Sequence, residues 1–478
     1  MIAGAIIGGI FAVIILVVLV RTLMFRPAPD PVIEPDGISV DPTFAAQNLA
    51  ELIKCKTISY RDTTLEDRAE FLRFESVLKE RFPTVISNVE YENVGDRAIL
   101  MRWRGKTPGD PTVLMAHFDV VGVDEEQWER PPFDGVIEDG VLWGRGTIDT
   151  KISLNGALCA AEILMKEGYT PEHDVYFSFA SDEEVNGHGA KDVVKLFKER
   201  GLEPALVLDE GGAVIDGVFP GVKRLCAVVG IAEKGMVNIE YSVSSNGGHS
   251  SAPKPHTPVG ILGRACVRIE GHPFKYRLTS PTMQMMDTLG RHSTFVYRMI
   301  FANLWLFAPV LNLIGKKQGG QINAIARTTV AFTKMQGSDA LNVIPTHATV
   351  CSNSRIIPGE TVEGTLERIK RTVNDDAVSI RVINGDDPSR VSRTDVAAYD
   401  KLKSVINETW SEAVVTPYLM IACSDAKAWG EISDKVYRFS PMHLTQEEND
   451  MIHGNNERMP VSKIAETVEF YIRLIKKC

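Results

Sequence analysis

Five short segments of this chain carry side chains that could together hold a pair of metal ions. Two of the segments contain histidine, at His117 in His-Phe-Asp and at His453 in His-Gly-Asn. The other three contain the acids Asp149, Asp182, Glu183, Glu184, Asp209 and Glu210. Two imidazoles and several carboxylates are the ligand types of a two-metal hydrolytic centre. The set therefore predicts a metal-dependent hydrolase.

Each segment also has an ordinary structural explanation when it is taken alone. The glycines before Asp149 could form only a tight turn. The acids at 182–184 could simply begin a helix, where the helix dipole favours negative charge. His117 with Asp119, and His453, could be ordinary surface or core residues. The joint occurrence of the five segments is what favours a metal site.

Strands and helices that alternate along the chain would bring these segments together. They are predicted in the order strand 112–116, helix 152–166, strand 175–180, helix 191–200 and strand 205–208. This order predicts an α/β fold with a doubly wound, mostly parallel sheet. His117, Glu183 and Asp209 then follow the carboxyl ends of strands, where open α/β sheets bind their ligands.

The residue types also suggest how the chemistry is divided. Two ions about 3.5–4 Å apart need a bridging carboxylate and mixed nitrogen and oxygen ligands. Zinc suits this set, and manganese or cobalt would accept it. A further carboxylate must take a proton from water and deliver it to the leaving group. Glu183, beside a ligand, fits that task, and Asp119 could receive the second N–H group of His117.

The sequence predicts a second unit inside this catalytic domain. Residues 233–386 follow the strand and helix order β-α-β-β-α-β, which is that of the ferredoxin-like unit. We expect an inserted lid or dimerisation domain there, between catalytic segments 41–232 and 387–478. Within it, residues 295–314 are rich in apolar side chains. They form either a packed helical pair or an apolar surface for a lipid-like substrate or a membrane.

The first residues of the chain read differently from a globular domain. Residues 1–20 carry no charge and are long enough to cross a bilayer, so residues 1–25 are predicted to be a single-pass transmembrane anchor. A cleaved signal is the alternative, but the basic start that it requires is missing. Four prolines punctuate a stiff linker at 26–40. Arg21 and Arg26 favour a cytoplasmic body by the positive-inside rule.

Composition excludes some classes of function. With a net charge of −10 over 478 residues, the chain lacks the basic balance that nucleic-acid binding needs. Seven scattered cysteines, without a Cys-x-x-Cys pair, give neither a disulfide framework nor a thiolate zinc site.

Several strings make the chain recognisable beyond its ligand types. They are LMAHFDVV at 114–121, WGRGTID at 143–149, DEE at 182–184, LDEGG at 208–212, GHSSAP at 248–253, NVIP at 342–345, RIIPG at 355–359 and IHG at 452–454. From about residue 45 to its end, the chain resembles the zinc-dependent aminoacylase/carboxypeptidase metallopeptidase family. The branch that it resembles includes carboxypeptidase S and the N-fatty-acyl-amino-acid synthase/hydrolases.

The resemblance implies a role for each site residue. One zinc ion would be held by His117 and Asp209, the other by Glu184 and His453, and Asp149 would bridge them. Glu183 would be the general base and Asp119 would orient His117. His249 would stabilise the oxyanion, in relatives from a partner subunit, which implies a homodimer. Arg355 would clamp the substrate carboxylate with its planar fork, and Asn342 would line the same pocket.

Two positions depart from the pattern of the family. Thr150 stands where close relatives often have a second acid, and Lys427 stands where an arginine is frequent. A neutral residue at the first position is common elsewhere in the family, and the second departure concerns substrate anchoring and not the metal chemistry. The resemblance also favours a non-cytosolic catalytic domain, against the two arginines after the apolar segment.

The expected activity is a dinuclear-zinc amidohydrolase, cleaving the amide bond to a C-terminal amino acid in short peptides. A substrate with a free carboxylate is implied. The alternative is a hydrolase or synthase of N-acyl amino acids, with fatty chains included. A different class is a non-catalytic metal-binding scaffold on the same fold.

Overall fold

The computed structural model describes residues 2–30, 32–34, 36–217 and 219–478. In this part of the chain the strands are β1 (Glu90–Val94), β2 (Ala98–Trp103), β3 (Thr112–His117), β4 (Val136–Glu138), β5 (Val141–Trp143), β6 (Val175–Ala180), β7 (Leu206–Ile215), β8 (Cys226–Glu233), β9 (Gly235–Ser244), β10 (Gly248–His249), β11 (Thr329–Gln336), β12 (Val343–Ile344), β13 (His347–Ile356), β14 (Ser379–Asp386), β15 (Val414–Met420), β16 (Val436–Leu444) and β17 (Arg458–Pro460).

The helices in the same described ranges are α1 (Ile2–Met24), α2 (Pro42–Ile53), α3 (Arg68–Arg81), α4 (Pro83–Asn88), α5 (Lys151–Lys166), α6 (Gly189–Glu199), α7 (Pro258–Gly271), α8 (Ser280–His292), α9 (Phe295–Ala302), α10 (Leu304–Gln318), α11 (Gly320–Ala324), α12 (Val362–Val373), α13 (Ala397–Thr409), α14 (Ala426–Trp429), α15 (Gln446–Asp450) and α16 (Val461–Ile475).

A central sheet of eight strands has the order β1-β2-β6-β3-β7-β16-β8-β15. Strand β3 lies parallel to β6 and β7, and the pairs β7–β16 and β8–β15 are also parallel. The β1–β2 pair is antiparallel because a short turn joins its strands, and β2–β6 and β8–β16 are antiparallel too. The predicted α/β fold is confirmed, but the sheet is mixed where a mostly parallel one was expected.

Helices cover both faces of this sheet, and side chains alternate between the two cores. On β3, Leu114 packs into the core under α5 and α16, whereas Val113 and Met115 face the core under α6. Burial on both faces explains why the strand is an uninterrupted apolar run in the sequence. The first polar residue that follows is His117, at the edge where a site can form.

Strand β7 continues well beyond the predicted strand at 205–208. Asp209 pairs with Arg438 but the next pair joins Gly212 to Phe439, so Glu210 and Gly211 form a bulge. A side chain at Gly212 would lie 1.7 Å from the Val228 carbonyl oxygen, so only glycine fits there. The bulge interrupts the regular alternation of side chains at the point where Asp209 and Glu210 follow each other.

The predicted β-α-β-β-α-β unit forms a second sheet of four antiparallel strands, with the order β11-β13-β9-β14. Helices α7 and α12 pack on it, and its buried core is separate from that of the central sheet. Its role as a lid or dimerisation domain, and the borders 232/233 and 386/387, stay predictions. Between α7 and β11 the chain adds the helices α8 to α11.

Helix α1 contains an apolar segment, Ala5–Met24, with a mean hydropathy of 2.7, long enough to cross a membrane; a signal sequence has the same properties. Helices α9 and α10 form an apolar pair bent by 106° at Asn303. Within the predicted linker, Pro31 and Pro35 lie outside the described residues. The described remainder, from Phe25 to Asp41, contains no helix or strand.

Candidate metal centre

The Asp149 carboxylate lies between the two predicted histidine ligands. Its Oδ1 atom is 3.0 Å from His117 Nε2, and its Oδ2 atom is 3.1 Å from His453 Nε2. His453 Nε2 is also 3.0 Å from Glu184 Oε2. A carboxylate that offers one oxygen to each of two imidazole sites is the arrangement expected of a bridging ligand. Histidines more than 300 positions apart in the chain thus converge on a single carboxylate.

Among the described residues, two overlapping groups of side chains have ligand atoms close enough to hold a metal ion. His117, Asp149 and Glu184 form one group, and His117, Glu183 and Glu210 form the other. In each group the ligand atoms lie within 4.8 Å of one another. Nitrogen and oxygen donors of this kind suit zinc, manganese or cobalt.

Asp119 connects His117 to the acidic turn. His117 Nδ1 lies 3.0 Å from the Asp119 carbonyl oxygen and 3.3 Å from its Oδ1. The fully buried carboxylate of Asp119 also accepts hydrogen bonds from Ser59 Oγ at 2.7 Å and from the backbone N–H groups of Glu183 and Glu184. One side chain therefore positions the imidazole ring and both acids of the turn.

Glu457 connects the two chain segments that carry Asp149 and His453. Its carboxylate is fully buried and accepts a hydrogen bond from Arg145 Nη1 at 2.7 Å. It also accepts hydrogen bonds from the backbone N–H groups of Gly146, Ile148 and Asp149, at 3.0, 2.6 and 3.2 Å. The sequence reasoning missed this residue. The available signal was an acid four positions after a histidine ligand, which periodicity alone cannot distinguish from a surface glutamate.

The acids at 209 and 210 have different surroundings. Asp209 Oδ2 accepts a hydrogen bond from the Ala426 backbone N–H at 2.7 Å, and Asp209 belongs to neither group of metal-binding side chains in the described residues. Glu210 Oε1, in contrast, lies 3.4 Å from His117 Nε2. The structure thus brings Glu210 to the cluster where the sequence analysis expected Asp209. The bulge in β7 accounts for this difference, because it breaks the regular alternation of side chains.

Buried like charges dominate the electrostatics of the cluster. Burial and the nearby Asp149 carboxylate raise the pKa of Glu210 to about 8. Burial, with repulsion from Glu210 and Asp425, raises the pKa of Glu183 well above its usual range. Burial also raises the pKa of Asp209 to about 6. These carboxylates are therefore costly to ionise together unless a positive charge joins them.

The two imidazoles are shifted towards their charged forms. Hydrogen bonds to Asp149 and Glu184 raise the pKa of His453 to about 10. Burial opposes the charge on His117, but Glu210 and the hydrogen bonds to Asp119 and Asp149 outweigh it and raise its pKa. Protons on the imidazoles thus compensate acids in a place where divalent cations would do so more completely.

A cleft beside the cluster is lined by residues from both sheets. Glu183 and Lys427 line it together with Met236 of β9 and Cys423. Arg355, at the end of β13, donates a hydrogen bond from Nη1 to Cys423 Sγ at 3.2 Å. The predicted carboxylate clamp is therefore in contact with the lining of the cleft next to Glu183.

His249 and Asn342 lie apart from this cluster, His249 on β10 and Asn342 directly before β12, the two strands of a short ribbon. The Ser250 N–H donates to the Asn342 carbonyl oxygen at 3.0 Å, and His249 Nδ1 lies 2.8 Å from Ser251 Oγ. His249 is exposed, and no hydrogen bond or ion pair in the described ranges joins it to the metal-binding side chains. The structure does not bring these two predicted residues to the cluster.

The mixed α/β sheet and the cluster of acids and histidines at its edge define a metal-dependent hydrolase. Comparison with known families agrees with that class. The family described as peptidase family M20/M25/M40 matches residues 113–477, so the chain belongs to this peptidase family.

Individual relatives extend the match to nearly the whole chain. A protein of Dictyostelium discoideum named "Probable carboxypeptidase S-like 2" is 34% identical over 477 residues, 97% of this chain and 92% of the relative. An N-fatty-acyl-amino acid synthase/hydrolase of Xenopus tropicalis is 37% identical over 431 residues, 89% and 84% of the two chains. The crystal structure of an M20 family metallo-carboxypeptidase from Sulfolobus solfataricus shares the fold, with a TM-score of 0.67, 15% identity and coverage of 90% and 98%.

Proposed function

We propose that this protein is a two-metal amidohydrolase that cleaves the amide bond to a C-terminal amino acid. The observation that carries the proposal is the Asp149 carboxylate, with one oxygen beside His117 and the other beside His453. Family membership supports hydrolysis of a peptide-type bond.

The donor set fits two divalent cations. His117 and Glu210 would hold one ion, Glu184 and His453 the other, and Asp149 both. Glu210 takes the place that the resemblance gave to Asp209, because its carboxylate faces His117. Asp425 adds to the negative charge that the ions would neutralise. Its buried Oδ2 atom has no hydrogen-bond partner among the described atoms. Zinc is the proposed metal, with manganese or cobalt as substitutes.

Bound ions of this kind polarise an amide carbonyl and lower the pKa of water. The protein's own contribution is to place a proton carrier beside them. Glu183 is that carrier: its backbone N–H is held by Asp119, and its carboxylate would take a proton from water and pass it to the leaving amine. Glu183 lines the cleft, where a substrate would meet it.

The proposed substrates carry a free carboxylate next to the scissile amide. Arg355 would bind that carboxylate at the cleft through two parallel hydrogen bonds. The relatives named above include both carboxypeptidase S-like proteins and N-fatty-acyl-amino acid synthase/hydrolases. Short peptides and N-acyl amino acids are therefore the two substrate classes to compare. The relatives named as synthase/hydrolases make the N-acyl amino acids the second candidate.

His249 and Asn342 are proposed to act from the inserted unit at residues 233–386, of which the β10–β12 ribbon is a part. Their distance from the cluster requires either closure of that unit over the cleft or a contribution from a second copy of the chain. A homodimer in which His249 enters the partner's cleft would meet the need for an oxyanion donor. Helix α1 is proposed to be a single-pass anchor that carries the catalytic domain on the non-cytosolic side of a membrane.

Replacement of Glu183 by glutamine tests the proton carrier. The variant keeps the size of the side chain but cannot exchange a proton, so kcat should fall by about 10²–10⁴-fold while both metal ions stay bound. Hydrolysis of dipeptides and acylated amino acids would be measured beside metal content. Unchanged turnover in Glu183→Gln would disprove the assigned role.

The neighbouring acids of β7 provide a matched pair for the ligand assignment. Glu210→Gln should weaken metal binding strongly, whereas Asp209→Asn should leave both ions bound, since Asp209 accepts a hydrogen bond from the Ala426 N–H. Competition with a chelator would measure both affinities. The opposite order of effects would restore Asp209 as the ligand.

A non-catalytic scaffold is the alternative of another class. Purified protein with two bound metal ions that hydrolyses neither peptides nor N-acyl amino acids, over a panel of acyl lengths and amino acids, would favour the scaffold. Turnover that a chelator abolishes and added zinc restores would favour the enzyme.

A further inference from the structure

Helices α9 and α10, here called the elbow helices, expose an unusual amount of apolar surface. Seven of their large apolar side chains are 39–60% exposed: Phe295, Val296, Tyr297, Trp305, Leu306, Val310 and Leu313. On a protein surface, an apolar patch of this kind marks a contact with another protein, a ligand or a membrane. What covers the patch can be inferred from the element to which the elbow is attached.

The bend between the elbow helices is joined to helix α1 by buried polar contacts. Asn303 is fully buried, and its Nδ2 donates to the Val18 carbonyl oxygen and to Thr22 Oγ1, both at 3.3 Å. Arg21 Nε donates to the Ala302 carbonyl oxygen at 3.1 Å. Because these groups satisfy one another, the junction can lie away from water. Helix α1 is thus held against the elbow at its carboxyl end.

The position of this junction along α1 determines how deep the junction would lie in a membrane that α1 spans. The apolar segment Ala5–Met24 has 20 residues, and at about 1.5 Å per residue it covers about 30 Å, the thickness of a bilayer core. Val18 precedes Met24 by six residues, so the junction lies about 9 Å inside the end of the segment. Helices that lie in a membrane interface bury their apolar face by about 5–10 Å. The two depths agree.

The ends of the elbow helices carry residues typical of an interface. Trp305 is exposed beside the bend, and its Nε1 donates to Asn303 Oδ1 at 3.4 Å. Tryptophan is enriched at the boundary between acyl chains and headgroups. Lys316 and Lys317, in the last turn of α10, can extend their charges towards headgroups.

The elbow is also joined firmly to the central sheet. Helix α8, which precedes it, buries Met285 and Leu289 against Val228 and Val414 of strands β8 and β15. Phe301 of α9 packs against Phe219 at a ring separation of 4.7 Å. Whatever holds the elbow therefore also orients the sheet that carries the metal cluster.

We propose that the elbow helices lie in the interface of the same bilayer that α1 enters, as a second membrane contact that holds the catalytic domain in one orientation on the lipid. This inference rests on the proposed anchor role of α1. It goes beyond that role, because a single span joined by a linker would leave the domain free to rotate.

Tryptophan fluorescence of the full-length chain tests the contact. Helix α1 contains no tryptophan, and of the tryptophans elsewhere only Trp305 is strongly exposed. The chain would be inserted into phosphatidylcholine vesicles with and without bromine atoms near the glycerol end of the acyl chains. We expect brominated lipid to quench part of the emission, and Trp305→Phe to abolish that part. Trp143→Phe, in the small sheet of β4, β5 and β17, is the matched control and should retain the quenching.

Three results would overturn the proposal. Equal quenching in Trp305→Phe and in the unsubstituted chain would show that the elbow does not touch lipid. Quenching of Trp305 only by an N-acyl amino acid with a brominated chain would assign the patch to substrate. Emission of Trp305 that changes with protein density in unbrominated vesicles, without lipid quenching, would assign it to a second copy.

The quenching experiment tests the elbow contact independently of the proposed enzymatic activity and of the proposed anchor role of α1. Quenching requires neither metal nor turnover, so an inactive protein would still report the contact. Flotation of the chain with vesicles reports insertion of α1 by itself. A chain that floats and yet shows no quenching of Trp305 refutes the elbow contact alone.

Discussion

Glu457 offers the sharpest test of how the metal centre is assembled. Its carboxylate accepts four hydrogen bonds, two at each oxygen, from Arg145 and from three backbone N–H groups of the segment that ends in Asp149. In Glu457→Gln one oxygen becomes an NH2 group, so two of these bonds turn into contacts between donors. The buried guanidinium of Arg145 also loses its counter-charge.

These losses set the expected decrease in folding stability and in zinc affinity. Removal of one partner from a buried ion pair costs about 3–5 kcal/mol, a large part of the total stability of about 5–15 kcal/mol. Displacement of Asp149 should weaken metal binding as well, by about 10–100-fold, the usual effect of a residue that supports a ligand. Urea unfolding of the metal-free protein would measure the first effect, and zinc titration against a chelator the second.

Glu162 supplies the matched control. It is equally buried, accepts hydrogen bonds from the backbone N–H groups of Thr84 and Val85, and forms an ion pair with Lys166. It contacts none of the metal-binding side chains. Glu162→Gln should reduce stability without a change in zinc affinity. If Glu457→Gln behaves in the same way, with zinc affinity intact, then Glu457 does not position Asp149 and the reasoning fails.

Three further predictions concern the cleft, the charge of the cluster and the elbow. Arg355→Lys should raise KM for substrates with a free carboxylate by about tenfold or more, because lysine cannot form two parallel hydrogen bonds; an equal change for amidated substrates would contradict the clamp. In urea unfolding, the metal-free protein should lose stability as pH rises from about 4 to 8, because the raised pKa values of Asp209 (about 6) and Glu210 (about 8) make the folded state bind more protons than the unfolded state in this range. Bound zinc should remove this dependence of stability on pH. A dependence that zinc leaves unaltered would contradict the assignment of these acids to the metal cluster. Asn303→Ala should reduce the quenching of Trp305 by brominated lipid, and undiminished quenching would show that its contact with α1 is dispensable.

Three strands of the central sheet, β3, β6 and the start of β7, could be predicted from local sequence. Strand β6 has the predicted bounds, and β3 and α5 differ from prediction by one residue. Their apolar runs are long because both faces of the sheet are covered, and this burial leaves a direct signature in the sequence. His117 and Asp149 could be singled out for the same reason, since a polar residue directly after a buried strand or turn stands out.

The contacts between individual residues of the site could not be predicted from local sequence. The strand after residue 208 continues through a bulge, and the bulge determines that Glu210 and not Asp209 faces His117. Glu457 contributes through contacts with backbone groups more than 300 positions away, for which side-chain patterns give no signal. His249 belongs to a separate sheet, so its distance from the cluster depends on how two units are placed.

The sequence by itself determined the class of chemistry, the order β3-α5-β6-α6-β7 within the central sheet and the presence of two apolar segments. Only the tertiary structure decided which acid meets which histidine and that the second apolar segment packs against the end of the first. The physical reason is that periodicity records the burial of each element along its own axis. The pairing of distant elements depends on packing and on buried hydrogen bonds, such as that between Asn303 and Val18, which no local pattern specifies.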